Sequence, residues 1–492
     1  MTAGTRKIIF AGTARNVAPF LPGVIRNIET FSRHFAQWAV VVAENDSHDQ
    51  TKTLLKAWME RAPTQGAARA VLADMDGMIR DHLDRTDRIA LARNRVLEEI
   101  EKDQLLSGFD YLAFLDMDFP NVHPMRPENF AAAVDFLERN PGAAGVFPNQ
   151  LPLYYDVWAL REKDWCPRDC WDEVRDAMPA LGLDAAVAKY AFERQRIIPP
   201  SAPPIPVESA FGGIGIYRMK WVLGRRYGGL KPGGGEVCEH VAFNQSIHRE
   251  GGALFILPDF LNLSSPEHTR LAESHALVTI GHGPMQAPLL TRRDSRFALL
   301  RRQFPNFGEN FAALAALHGR QGRAPILDLA PGAGEGLVLV RLHGCDSAYI
   351  CVEKDALDFA VLSANALMQD DIFGDRQLLR EFPDIDAGLV RLGTGKDGSV
   401  ILDQPRVAAA PVLWARIEAP EEPGIWQAAL ENLPHENMMV FSASGALLGV
   451  GGRKENAANL VSLFQRLPKD GLDLVFFANS TAALFREFRG RA

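Results

Sequence analysis

The sequence predicts an α/β protein with two successive Rossmann-like, parallel-sheet domains. Three observations carry that prediction. Apolar runs that end in charged loops recur through the amino-terminal part, helix-like segments separate them, and a second strand set surrounds a glycine-rich turn beyond residue 320. A chain of 492 residues, 47% hydrophobic and 23% charged, has room for two or three domains with substantial cores.

Residues 7–12 read as a first strand entering the polar turn Thr13-Ala14-Arg15-Asn16, followed by a helix over 17–35. Residues 38–43 form a second apolar run that ends in Glu44-Asn45-Asp46-Ser47-His48-Asp49-Gln50-Thr51, a polar loop placed to cap a helix over 52–61. A short third run, 68–72, and a helix over 87–101 lead to the fourth strand, Tyr111-Leu112-Ala113-Phe114-Leu115-Asp116-Met117-Asp118. This run stops at two carboxylates spaced i, i+2, at the strand end where open α/β sheets bind ligands. Magnesium or manganese is held by one or two carboxylates together with substrate phosphates and water, so Asp116 and Asp118 point to a metal bound with a nucleotide diphosphate. Arg88 and Arg93 lie five apart on the preceding helix, and either guanidinium suits a diphosphate; surface ion pairing with Glu98, Glu99 or Glu101 is the competing reading. Glu44 and Asp46 offer acceptors to a base or ribose, or else cap the next helix.

Three phrases in this order, Glu44-Asn45-Asp46-Ser47-His48-Asp49-Gln50-Thr51, Arg88-Ile89-Ala90-Leu91-Ala92-Arg93-Asn94 and Phe114-Leu115-Asp116-Met117-Asp118, resemble a GT-A glycosyltransferase. The similarity is to capsule-associated α-mannosyltransferases and mannan-polymerase relatives, and Tyr154-Tyr155-Asp156-Val157-Trp158-Ala159-Leu160-Arg161 and Phe211-Gly212-Gly213 extend it over about the first 285 residues. The resemblance implies sugar transfer from a nucleotide-diphosphate donor, GDP-mannose before a UDP-sugar, to a glycan hydroxyl in surface polysaccharide synthesis, with retained anomeric configuration. It also implies a carboxylate under the acceptor, Glu239 first and Asp156 or Glu208 in reserve. His268 is the preferred further metal ligand, ahead of His282. The helix-rich stretch 161–206, with Trp165, Trp171 and a proline cluster, reads as an insertion over the acceptor side.

A second domain is expected over 300–492, after a first domain over 1–288. Residues 323–329 and 348–353 read as strands around Ala330-Pro331-Gly332-Ala333-Gly334-Glu335-Gly336. Glycines admit a cofactor close to the backbone, and the acid ending the second strand holds ribose hydroxyls, so Asp328, Gly332, Gly334 and Glu353 are candidate cofactor contacts. The order resembles an FkbM-type methyltransferase, which implies S-adenosylmethionine. Ala330 departs from that family's first glycine and Arg416 replaces a family acid, so a degenerate domain is the alternative. For the whole chain, a methyltransferase with a carbohydrate-binding front half competes with the glycosyltransferase, and an inactive scaffold is a third reading.

The formal charge of −8 argues against a nucleic-acid partner. No run approaches the ~20 apolar residues that span a bilayer, and no secretory signal is visible. Five cysteines in no metal-binding pattern fit reduced thiols and a cytoplasmic setting, compatible with peripheral membrane association or homo-oligomers.

Overall fold

The computed structural model describes residues 5–282, 285–321, 324–369, 376–381, 383, 385–387, 389–392, 407, 409–417, 433, 435–452 and 472–491. It divides into two compact units, Met1–Ala272 and Glu273–Ala492. The first holds an eight-stranded sheet. Its strands are β1 (Lys7–Ala14), β2 (Gln37–Glu44), β3 (Ala67–Asp74), β4 (Tyr111–Asp116), β5 (Ala143–Leu151), β6 (Ile205–Val207), β7 (Ile214–Arg218) and β8 (Ala253–Leu263), in the order β3-β2-β1-β4-β7-β5-β8-β6.

β1 to β4 are parallel, and β7 enters antiparallel between β4 and β5. The unbroken apolar stretch of β2 reflects burial on both faces, as a central parallel strand requires. Helices cover both faces. Leu21–Ser32 and Pro127–Arg139 meet through the stacked rings of Phe31 and Phe130, 4.4 Å apart. Arg85–Lys102 packs the other face with Ala90, Arg93, Val96, Leu97 and Ile100 buried. The helix begins two residues before the expected Asp87, which brings Arg85 into its first turn. Each parallel strand thus delivers its carboxyl end, and the loop after it, to one edge of the sheet.

The second unit starts earlier than the sequence suggests. The hairpin β9 (His275–His282) and β10 (Met285–Arg292), much of it expected in the first domain, belongs to the second. Asn365 exchanges hydrogen bonds with the backbone of Leu290, Gln369 donates to the Pro288 carbonyl and Thr291 donates to Glu335, which ties the hairpin to that unit's helices.

The rest of that unit is a sheet of β11 (Ile326–Asp328), β12 (Tyr349–Val352), β13 (Arg376–Leu379), β14 (Leu389–Leu392), β15 (Val412–Ile417), β16 (Asn437–Ser442), β17 (Leu447–Gly452) and β18 (Leu472–Phe477). The order β13-β12-β11-β14-β15 is the doubly wound one, and β18 runs antiparallel between β15 and β16. Arg416, which stands where the methyltransferase resemblance expects an acid, lies on β15, and the residues that follow Ile417 are outside the described ones up to 432. Among the described residues no helix is long and apolar enough to cross a membrane.

Candidate active site

At the carboxyl edge of the first sheet lie two cavity lobes of about 350 and 670 Å³, and both are floored by Asp116 and Asp118. The smaller is lined by Thr13 at the end of β1, Arg15 just after it, Asn45 after β2, and Arg85, Arg88 and Arg93. The larger is lined by Phe119, Trp171, Phe192, Glu267 and His268. Tyr155, Asp156 and Trp158 are common to both.

Buried asparagines fix the backbone that carries the acid pair. Asn121 Nδ2 donates to the carbonyls of Asp116 (2.7 Å) and Gly213 (2.9 Å), while Asn262 Nδ2 donates to Asn121 Oδ1 (3.2 Å) and the Gly212 carbonyl (3.0 Å). Gly213 sits at φ +86°, and a Cβ there would lie 2.9 Å from Pro120. A side chain at this position would push on the acid-bearing turn.

Arg93 is the hub beneath the floor. It is only 3% exposed, and it donates from Nη2 to Asp116 Oδ1 (3.0 Å) and from Nε to Glu239 Oε1 (3.1 Å). Its guanidinium lies 4.7 Å from the Phe114 ring centroid and 4.8 Å from that of Phe211. Neighbouring carboxylates hold it protonated against burial. Arg93 therefore sets two carboxylates in place from the wall of the smaller lobe, which Arg85, Arg88 and Arg15 also line. Arg88 is braced from Nη1 by the carbonyls of His82 and Leu83.

Burial raises both carboxyls, Asp116 to about 7; at Asp116 the neighbouring Asp118 and Glu239 charges add to the rise and Arg93 opposes it. Asp118 Oδ1 is buried without a hydrogen-bond partner. Two close, partly desolvated carboxylates with one orphaned oxygen are the donor set a hard divalent cation fits. His268, 61% exposed at its side chain, lines the same lobe and lies 3.7 Å from Glu267.

Asp156 accepts a hydrogen bond from the Gly212 amide (2.9 Å), and burial pushes its carboxyl up to about 6. Glu239 opens the helix Glu239–Arg249, 6% exposed, and His240 beside it is stacked on Phe211 at 3.6 Å. Burial and the Arg93 charge keep His240 neutral. Glu236, three residues before Glu239, turns away to cap the helix Arg85–Lys102 through the Thr86 amide (3.0 Å) and hydroxyl (3.1 Å). Glu208 pairs with Gln245 and lines neither lobe.

Glu44 and Asp46 also stay out of both lobes. Glu44 accepts from the Ser47 amide and pairs with Lys52 at 3.2 Å; Asp46, at φ +49°, accepts from the amides of Gly77 and Ile79. Asn45 between them faces the cavity. Of the two tryptophans expected over the acceptor side, Trp165 is buried and donates to the Arg194 carbonyl, and Trp171 is 38% exposed in the larger lobe.

Residues 7–250 match the family model described as Cryptococcal mannosyltransferase 1. By this similarity the first domain is a glycosyltransferase. No curated protein matches the chain. Among solved structures, S. aureus TarS 1-349 shares 12% identity over 53% of this chain and 61% of that one, with a TM-score of 0.29. This chain thus spans less than two thirds of that structure. The Pyrobaculum calidifontis mannosyltransferase PcManGT, solved with GDP-Man and Mn2+, shares 16% identity over 74% of each chain, with a TM-score of 0.30. The Pyrococcus abyssi tRNA (uracil-54, C5)-methyltransferase, solved with S-adenosyl-L-homocysteine, shares 11% identity over 41% of this chain and 44% of that one, with a TM-score of 0.25.

Beyond the glycosyltransferase domain, the glycine-rich turn of the second unit does not fit S-adenosylmethionine. Asp328 is fully buried and spends its oxygens on the Ala330 amide, the Tyr349 hydroxyl (2.7 Å) and Arg391 Nη1 (2.9 Å). Glu335 folds back onto the turn, accepts from the Ala333 amide (2.8 Å), and stands 2.7 Å from where a Cβ on Gly332 would be. Gly334, at φ +95°, serves as the start of the helix Glu335–Leu342. Glu353 accepts from the Asp355 amide in the loop after β12. Glu335 thus takes the space beside Gly332, and Arg391, 2.7 Å from where a Cβ on Gly336 would be, takes that beside Gly336.

Proposed function

We propose that the first domain transfers a sugar, mannose foremost, from a nucleotide-diphosphate donor to a glycan hydroxyl, with manganese or magnesium held by Asp116 and Asp118 and with His268 at the rim. The observation that carries this reading is the orphaned Asp118 oxygen beside Asp116, at the floor shared by both lobes. When bound, the cation supplies charge stabilisation to the departing diphosphate.

The smaller lobe suits the nucleotide. Asn45 and the β1 turn offer polar contacts at the sheet edge, and Arg15, Arg85 and Arg88 present cations to phosphate oxygens. The larger lobe suits the acceptor, with Trp171 and Phe192 as apolar faces for a sugar ring. Asp156 lies where the lobes join, and a carboxyl near 6 is poised to take the proton of an acceptor hydroxyl. Glu239, fixed by Arg93, places negative potential beside the reacting sugar carbon.

The purified full chain, given GDP-mannose or a UDP-sugar, is expected to release nucleotide only with Mn2+ or Mg2+. Asp116→Asn and Asp118→Asn should each lower that release by two orders of magnitude or more, about 3 kcal/mol of barrier. Release that survives chelation and both substitutions would end this reading.

A further inference from the structure

Sugar transfer makes no use of a cluster within the second unit. His282 ends β9, Glu309 opens the helix Glu309–Gln321, and His343 caps the helix Glu335–Leu342. Their side chains converge on one oxygen. His282 Nδ1 lies 3.2 Å and His343 Nε2 2.9 Å from Glu309 Oε2, the two rings are 3.8 Å apart, and all three ligand atoms lie within 4.8 Å of one another.

The surroundings set the proton positions. His343 Nδ1 lies 2.9 Å from the Leu339 carbonyl, which only accepts, so that nitrogen carries the hydrogen and a neutral ring turns its Nε2 lone pair toward Glu309. Arg301 donates to Glu309 Oε1 (2.9 Å) and is itself held by the carbonyls of Phe307 and Gly281, which leaves Oε2 facing the imidazoles. A lone pair then faces a lone pair at 2.9 Å unless the ring takes a second proton or a cation lies between them. Metal bonds of ~2.0–2.1 Å at tetrahedral angles put ligand atoms about 3.3 Å apart, close to both contacts. The ligand side chains are 45%, 21% and 13% exposed for His282, Glu309 and His343, so a fourth position is open to water.

We propose that His282, Glu309 and His343 bind a divalent transition metal, zinc by donor type, which fastens the β9 hairpin to two helices of the second unit. Among the described residues the other acid cluster of this kind, Glu44, Asp74 and Asp76, already has the Lys52 ammonium at its centre.

The test is a Zn2+ titration by calorimetry, and a Co2+ titration by visible absorption, of the chelator-stripped full chain carrying Asp116→Asn and Asp118→Asn. One site per chain is expected, with the intense visible absorption of four-coordinate cobalt. His282→Gln and His343→Gln should each weaken it by at least the ~10–100-fold that lost metal-site partners cost. Should the double variant not fold, the wild-type chain in excess Mg2+, which occupies all-oxygen sites, gives the same readout. No zinc uptake with the acid pair removed or blocked, or uptake by both histidine variants as tight as that of their parent, overturns the proposal.

Discussion

Replacing Arg93 with methionine tests how the site is held. The substitution keeps most of the side-chain volume inside the cage of Phe114, Phe211 and Tyr227, but it removes two charge-assisted hydrogen bonds, to Asp116 and Glu239. Each is worth ~1.5–3 kcal/mol, and stripping one partner from a buried ion pair costs about 3–5 kcal/mol, because a desolvated charge is left behind. We take about 3–5 kcal/mol as the expected loss, a large part of the ~5–15 kcal/mol that hold a domain folded. Arg93→Lys keeps the charge without the fork, so its loss should be near half of that.

The pH dependence separates this account from simple misfit. Arg93 lowers the Asp116 pKa, so its removal raises that pKa further. The methionine variant's deficit should grow as pH rises through the Asp116 carboxyl, raised to about 7 with Arg93 in place, so it is larger at about pH 8 than at about pH 5, where Asp116 is protonated in both proteins. Urea unfolding of the metal-free full chain, followed through the transition of the first domain, measures both. A deficit below about 1 kcal/mol at the higher pH, or one of equal size at both, refutes the reasoning.

Asp118→Asn should abolish metal-dependent nucleotide release while making the metal-free protein more stable, by about 1 kcal/mol or more. The sign follows from linkage: a carboxyl whose folded pKa is raised costs stability as pH climbs from its unfolded value through the raised one, so the gain appears at neutral pH in thermal melts and vanishes below about pH 4. For Asp156 the profile of kcat/KM against pH should show an acid limb no higher than about 6, with activity lost as pH falls through it; a flat profile would remove Asp156 as the base. S-adenosylmethionine should give no heat on titration into the full chain, since Glu335 and Arg391 fill the glycine-rich turn; saturable binding that is lost in Glu353→Ala would show that turn to be open.

β1 to β4, β11 and β12 were legible because each is a mainly apolar run, and the acid pair because it interrupts such a run at a sheet edge. What escaped depends on side-chain direction. At the end of β2 the loop turns through a left-handed Asp46, so the acids on either side clasp the loop and the intervening Asn45 meets the cavity. Arg93 resembled a phosphate ligand, yet Ala90, Arg93, Leu97 and Ile100 follow the i, i+3, i+7, i+10 spacing of the buried helix face, a signal for an inward role. The asparagines holding the acid turn had no local signature, because Asn121 and Asn262 meet across 141 residues. In the second unit the glycine pattern is present, but Arg391, which fills it, enters from β14.

The acid pair as a common floor has a kinetic consequence. An acceptor that arrived first would cover the Asp118 carboxylate, whose buried oxygen has no partner while Arg93 pairs with Asp116, and would pay that desolvation alone. A donor that brings its own countercharge removes that penalty for the second ligand. If the proposed transfer holds, addition should be ordered, donor before acceptor, on electrostatic grounds.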